Sequence, residues 1–174
     1  MINWQYFPKS DTLPSKLHDT VAVFHKHASQ VDSTQKASAM MSSDEVLRLL
    51  TKGLQKIGYV VETGKNKAGK IAIPVLYGLN GKPEKSFLAD AYHREGQVVL
   101  EIEAAAAVTN NRFLLDLFQA CVMDEVRYCI IAVRNVNKTS NGQKDFDTVV
   151  RFMETIHASQ KLKLPLAGVL IIGY

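Results

Sequence analysis

The sequence predicts a single α/β domain with a mixed sheet flanked by helices. From residue 43 onward, the apolar pattern changes in the order helix, three strands, helix, strand, helix, strand. Arg127–Val133 and Leu166–Gly173 are nearly continuous apolar runs, as is typical of strands that are buried on both faces. The chain has 174 residues, of which 47% are apolar, which suits one domain with a substantial core.

The N-terminal part of the chain predicts one helix attached to this core. Apolar residues recur there at helical spacing, at Leu17, Val21 and Phe24. We therefore predict an amphipathic helix over residues 13–30, followed by a polar connector over residues 31–42. Residues 1–42 would form an N-terminal extension, and residues 43–174 would form the core domain.

The core opens with a helix and continues with strands. Ser42 is a suitable helix cap, with two acids in the first turn, and Gly58 is a suitable end. Three strand-like segments follow, at Lys70–Tyr77, Ser86–His93 and Gln97–Glu103. We expect them to form an antiparallel meander in which Pro74 marks an edge or a bulge.

The last part of the chain predicts a second helix, a buried strand, a third helix and a final strand. The second helix is expected over residues 104–125, with Thr109 or Asn110 as its cap, and the third over Phe146–His157. The β-α-β step between the two apolar strands should be parallel.

Three acids stand out on the second and third strands of the meander. Glu95 and Gly96 could be the central residues of the hairpin turn, with Gly96 available for positive φ. In that case the two residue numbers of each cross-strand pair add up to 191. Asp90 then lies opposite Glu101, and Glu103 points to the same face. Like charges in direct opposition destabilise a hairpin unless a cation compensates them.

This pattern predicts a divalent metal site. Carboxylate oxygens at such density suit Mg²⁺ or Mn²⁺. The alternative is an exposed hairpin face whose acids serve solubility. Against it, Tyr92 and Val99 share the face of the acids, which indicates that the face is partly covered.

An acid on one strand, a hairpin and then E-x-E on the next, flanked by helices in this order, resembles the PD-(D/E)XK nuclease superfamily. Glu103 in place of the usual Lys, and the run VVLEIE followed by a helix and CIIAVRN, resemble type II restriction endonucleases with a BamHI or BglII type of core. The resemblance covers roughly residues 43–134 and implies a restriction endonuclease-like αβββαβ core. The C-terminal LPL-G-LIIGY tail also resembles a group of uncharacterised bacterial proteins.

The resemblance implies roles for four acids. Asp90 and Glu101 would bind the metal, and Glu103 would act as general base. Glu45, early in the first core helix, resembles an extra helix acid of many members, with Glu62 as a rival. In the bacterial group Ala-Gly-Arg follows the E-x-E motif, whereas here Ala104–Ala107 follows it, so a phosphate contact or a stabilising contact is expected to be missing.

The distribution of charge favours an anionic partner. The net charge is +4, and residues 48–86 hold eight Lys or Arg against two acids. Either this stretch is a solvated basic face or it contacts phosphates. Candidate phosphate contacts are Lys65, Lys67, Lys70 and Arg112. For Arg112, helix capping and surface exposure is the equal alternative.

These observations favour a Mg²⁺- or Mn²⁺-dependent nuclease acting on DNA, in restriction, defence or repair. The alternatives are a non-catalytic nucleic-acid-binding or assembly module with the same fold, and a structural protein whose acids are incidental. We expect a cytoplasmic protein with no membrane segment, buried reduced thiols at Cys121 and Cys129, and room for a homodimer.

Overall fold

The fold is a six-stranded mixed sheet between two layers of helices. The structure is a computed structural model and describes residues 1–64, 69–159 and 161–174. Its strands are β1 Asn3–Phe7, β2 Val60–Val61, β3 Ile71–Tyr77, β4 Pro83–Ala89, β5 Ala91–His93, β6 Val98–Ile102, β7 Tyr128–Val133 and β8 Gly168–Gly173. Its α-helices are α1 Ser15–Lys26, α2 Ala28–Val31, α3 Ser43–Lys56, α4 Arg112–Val122 and α5 Asp145–Ser159.

The strand order of the central sheet is β1-β8-β7-β6-β5-β2. β6, β7 and β8 are parallel, as predicted for the β-α-β step, whereas β1, β5 and β2 pair antiparallel with their neighbours. Every residue of β8, and all of β7 except its first residue, is buried. The two apolar runs of the sequence are therefore central strands covered on both faces.

Alternate residues of β6 serve two separate apolar cores. Val98, Leu100 and Ile102 pack with α1 and α3 on one side of the sheet. Val99 packs on the other side with residues of α4 and α5. Because side chains alternate along a strand, Glu101 shares the α4 side of the sheet with Val99.

The N-terminal segment supplies an edge strand that the sequence did not predict. β1 pairs with β8 from Asn3–Gly173 to Phe7–Val169. Phe24 of α1 lies in one core and Phe7 in the other. The division of the chain at residue 42 stays a prediction, but residues 3–7 are part of the central sheet.

The register of the hairpin between β5 and β6 is confirmed. Ala91 pairs with Leu100, and His93 pairs with Val98, so paired numbers sum to 191. The positive φ was expected at Gly96 but falls on Gln97 (φ 54°). Gly96 lies in a tight place instead, because a Cβ there would lie 3.0 Å from the His93 ring and from the Lys16 side chain.

The predicted meander is interrupted at Asp90. β3 and β4 form a two-stranded sheet of their own, whereas β5, the end of the second predicted strand, pairs with β6 in the central sheet. The pairing of β3 with β4 shifts between Pro74 and Leu76, so the bulge expected at Pro74 is present. The break leaves Asp90 between two strands, at the edge where the two sheets meet.

The helix after the acids begins later than predicted. Residues 104–110 form turns, and α4 starts at Arg112 after Asn111, which has left-handed φ and makes no capping bond through its side chain. Thr109 and Asn110 are therefore not the cap. The four alanines Ala104–Ala107 suggested helix, but Ala107 is turned into the core beside α4 and α5.

Candidate active site

Three acids lie in a row across neighbouring strands at one end of the central sheet. The pairing of Val61 with Ala91 continues to Glu62, whose N–H donates to the carbonyl of Asp90 at 2.8 Å. The pairing of β5 with β6 ends at Ala91–Leu100, and Asp90 and Glu101 are the next residues of the two segments beyond that pair. The backbone of Asp90 also donates a hydrogen bond to the Glu101 carboxyl. Backbone hydrogen bonds of Asp90 thus join it to Glu62 on one side and to Glu101 on the other.

A cleft of about 520 Å³ opens over this row. Acidic and basic side chains from α3, the β2–β3 segment, β6 and α4 line it, together with β4. The charged lining residues are Asp44, Glu62, Lys70, Asp90, Glu101, Glu103, Arg112 and Asp116. The three acids expected from the E-x-E pattern, Asp90, Glu101 and Glu103, therefore share one cleft with Lys70 and Arg112.

Two of the acids in the cleft have basic partners. Lys70 forms an ion pair with Glu62, and the Nε of Arg112 lies 3.4 Å from Oε1 of Glu103. Asp90 has a backbone partner instead, since the N–H of Ile102 donates to its Oδ2 at 2.8 Å.

Burial makes the central carboxyls hard to ionise. Desolvation raises the pKa of Asp90 to about 6, with the charges of Glu62 and Glu103 adding to the effect. Desolvation also raises the pKa of Glu101 well above its ordinary value, and the charge of Asp90 adds to it. Buried carboxyls that repel one another are stable as anions only if a cation joins them.

Asp116 of α4 is a further acid of the cleft that could not be assigned from the sequence. Its carboxyl is buried and Oδ2 has no hydrogen-bond partner, while the protonated carboxyl donates a hydrogen bond to the Glu103 carboxylate. Desolvation and the charge of Glu103 raise the pKa of Asp116 to about 8. The buried stripe Phe113, Leu117 and Ala120 has the spacing of one helix face, and an acid within it is the signal that could have revealed the residue.

The other residues predicted for the site differ in whether they line the cleft. Glu45 accepts hydrogen bonds from the N–H and the hydroxyl of Ser42 in a capping box and does not line the cleft. Glu62, its rival, does line it. Lys65 and Lys67 fall outside the described residues.

Among the described residues, the acids do not form a complete set of metal ligands. No three His, Cys, Asp or Glu side chains within residues 1–64, 69–159 and 161–174 are grouped closely enough to hold an ion. The expected convergence of three carboxylates is therefore not present, because the Glu103 side chain contacts Arg112 and Asp116. The donors nevertheless fit a hard divalent cation, because the carboxyls of Glu101, which is buried, and Asp90, which is partly buried, both line the cleft.

The comparisons with known proteins agree with this architecture. No family model and no curated protein sequence matches the chain. The crystal structure of restriction endonuclease BglII complexed with a DNA 16-mer is similar, at a TM-score of 0.51 and 12% identity, over 99% of this chain and 75% of that one. The chain has a restriction endonuclease-like fold.

That fold was predicted from the order of the elements, and both the mixed sheet and its flanking helices are confirmed. At 12% identity, the similarity to BglII extends to the fold alone. Two further expectations concern the rest of the molecule. Cys121 and Cys129 are free thiols, but only Cys129 is buried, since Cys121 of α4 is partly exposed. Among the described residues, no helix combines the length and the apolar character that crossing a membrane requires.

Proposed function

We propose that this protein is a metal-dependent nuclease that hydrolyses phosphodiester bonds of DNA. The observation that carries the proposal is the row of acids across three strands, in a cleft of a restriction endonuclease-like fold. The similar solved structure is an endonuclease in complex with DNA, which supports DNA as the substrate of this chain as well.

Asp90 and Glu101 would hold Mg²⁺ or Mn²⁺. Glu101 is buried and Asp90 is partly buried, both lack a basic partner among the ion pairs found in the described residues, and both have a raised pKa. When bound, the cation supplies positive charge that polarises the scissile phosphate and acidifies water in the cleft. Glu62 would assist from the neighbouring strand, in the role that the resemblance gave to Glu45.

Glu103 is the proposed general base. In the hydrolysis, a water oxygen forms a new bond to phosphorus while the bond from phosphorus to the leaving oxygen breaks. The water gives one proton to the Glu103 carboxylate, and the leaving oxygen takes a proton from solvent. Burial raises the pKa of Glu103, which brings it closer to the neutral pH at which a general base is most effective.

Arg112 is the proposed phosphate contact. Its side chain is half exposed at the mouth of the cleft and is bonded to Glu103 only at 3.4 Å, so it is available to an incoming phosphate. Lys70 is a second candidate, although it is bonded to Glu62. Lys65 and Lys67 remain candidates from the sequence, close to Lys70 along the chain.

The test is cleavage of supercoiled plasmid and of single-stranded DNA with Mg²⁺ or Mn²⁺. The wild-type protein should cut, and Asp90→Ala should lose the cutting, while a matched change of the exposed aspartate of α1, Asp19→Ala, should retain it. Calorimetric titration with Mn²⁺ should show binding to the wild-type protein and to Asp19→Ala only. A folded wild-type protein that neither cuts DNA nor binds Mn²⁺ would exclude this function.

A second candidate function is a non-catalytic nucleic-acid-binding module. It is favoured by the absence of a closed three-ligand group among the described residues and by the contact of Glu103 with Arg112. Salt-sensitive DNA binding that is unaffected by Mn²⁺, without cutting, would support this function over the first.

A further inference from the structure

Asp116 is an anomaly in the packing of α4. It lies on the buried stripe of the helix, between Phe113 and Leu117, and only 6% of it is exposed. Its Oδ2 has no hydrogen-bond partner in the described structure. A buried carboxyl oxygen without a partner destabilises a fold, and a leucine at this position would fill a similar space without that cost. The packing of α4 therefore gives no reason for an acid here.

The neighbourhood of Asp116 provides a reason. Arg112 and Asp116 are four residues apart, so they lie one above the other on the same face of α4. The Glu103 carboxylate accepts from both of them, from the Arg112 guanidinium at 3.4 Å and from the protonated Asp116 carboxyl. Arg112 and Asp116, which project from the same helix, thus both bond to the Glu103 carboxyl.

The backbone of Glu103 is held independently of α4. Its N–H donates to the carbonyl of Ala132 at 2.8 Å, and its carbonyl accepts from the hydroxyl of Tyr174 at 2.8 Å. With the main chain fixed at both polar groups, the direction of the Glu103 side chain depends on its contacts with Arg112 and Asp116.

We propose that Asp116 is a positioning residue that holds the Glu103 carboxyl in the cleft against the pull of Arg112. The inference rests on the proposed function, because it gives Glu103 a task that requires a set orientation. Asp116 touches neither substrate nor the attacking water and acts only through Glu103. Without it, the Glu103 carboxyl turns to Arg112 and forms a closed ion pair outside the reacting geometry.

The test compares Asp116→Leu, Asp116→Asn and the exposed control Asp19→Leu. Asp116→Leu should lower kcat by about 10- to 100-fold, the usual effect of losing a residue that orients a site group, and leave KM for DNA within about twofold. Asp116→Asn keeps a hydrogen-bonding group of the same shape and should restore most of kcat. The control should match wild type.

Two further readouts separate positioning from other roles. Metal-free Asp116→Leu should unfold at a higher temperature than wild type, whereas a residue needed for the fold would lower it. The affinity for Mn²⁺, measured by electron paramagnetic resonance, should stay within about twofold, whereas loss of a ligand would lower it further.

Each contrary result has a distinct meaning. Wild-type kcat in Asp116→Leu overturns the positioning role and leaves the nuclease intact. A lower unfolding temperature shows a structural role, and weakened Mn²⁺ binding shows a ligand; either overturns the inference. Folded wild-type protein without any cutting overturns the proposed function and this inference with it.

Discussion

At the scale of single residues, desolvation of the carboxyls in the cleft lowers the stability of the fold when they are ionised. The pKa of Asp90 is raised from 3.8 to about 6, so folding favours its protonated form. Its contribution to stability is present below pH 4 and is lost as the pH rises through 6. We therefore expect metal-free Asp90→Asn to be more stable than wild type at pH 8, on the order of 2 kcal/mol, with the difference vanishing near pH 4.

Urea unfolding in EDTA at both pH values measures this difference. Asp19→Asn, a change of an exposed aspartate, provides the control and should follow wild type at both. If Asp90→Asn were less stable than wild type at pH 8, the carboxylate would be stabilised in the fold, and the account of a desolvated, cation-requiring acid would be wrong.

The roles of Glu45 and Glu62 can be distinguished by measuring the stability and the cleavage activity of variants at each position. Glu45 completes the capping box of α3 with Ser42, so Glu45→Ala should lower the unfolding temperature and leave cleavage unchanged. Glu62 lines the cleft, so Glu62→Gln should slow cleavage. If Glu45→Ala lost cleavage at a temperature where it is fully folded, Glu45 rather than Glu62 would be the additional acid of the site.

The sequence could predict the relation of Asp90 to Glu101 because both lie on one hairpin, and a short turn fixes its register. Glu62 and Asp116 could not be assigned in the same way. Glu62 joins the row through β2, which pairs with β5 across about 30 residues of chain. Asp116 depends on how α4 is rotated against the sheet, which periodicity suggests but does not fix.

At the scale of elements, β1 is the strand that could not be predicted from the sequence. Residues 1–12 have no regular alternation, and pairing with β8 at the other end of the chain decides their conformation. Similarly, Ala104–Ala107 has high helix propensity, yet tertiary contacts hold Ala107 in a turn. In both cases long-range packing overrides local preference.

Strand β1 should therefore be required for stability of the whole fold. Phe7 is 1% exposed and stacks on His157, whereas Trp4, on the same strand, is 42% exposed. We expect Phe7→Ala to lower the free energy of unfolding by about 3 kcal/mol and Trp4→Ala by less than about 1 kcal/mol, as measured in urea. Equal, small losses would mean that β1 contributes little to the stability of the fold.

At the scale of the whole molecule, the basic stretch of the sequence and the acidic cleft are adjacent. A second cleft of about 390 Å³ lies between α3 and the segment after β2. It shares Asp44 and Glu62 with the cleft over the acids, and Arg48 and Lys52 line it as exposed cations one helical turn apart. A nucleic-acid backbone leaving the acids in this direction would pass both cations.

Removing these cations should change the salt dependence of DNA binding rather than the chemistry. Each phosphate contact contributes about 0.9 to the slope of log K against log salt concentration, so Arg48→Ala/Lys52→Ala should reduce the slope by about 1 to 2. Lys26→Ala/Lys36→Ala removes the same charge from exposed positions that line neither cleft and should leave the slope nearly unchanged. Equal effects of the two double variants would show that net charge alone draws the protein to DNA, whereas a selective effect would trace the path of the strand over α3.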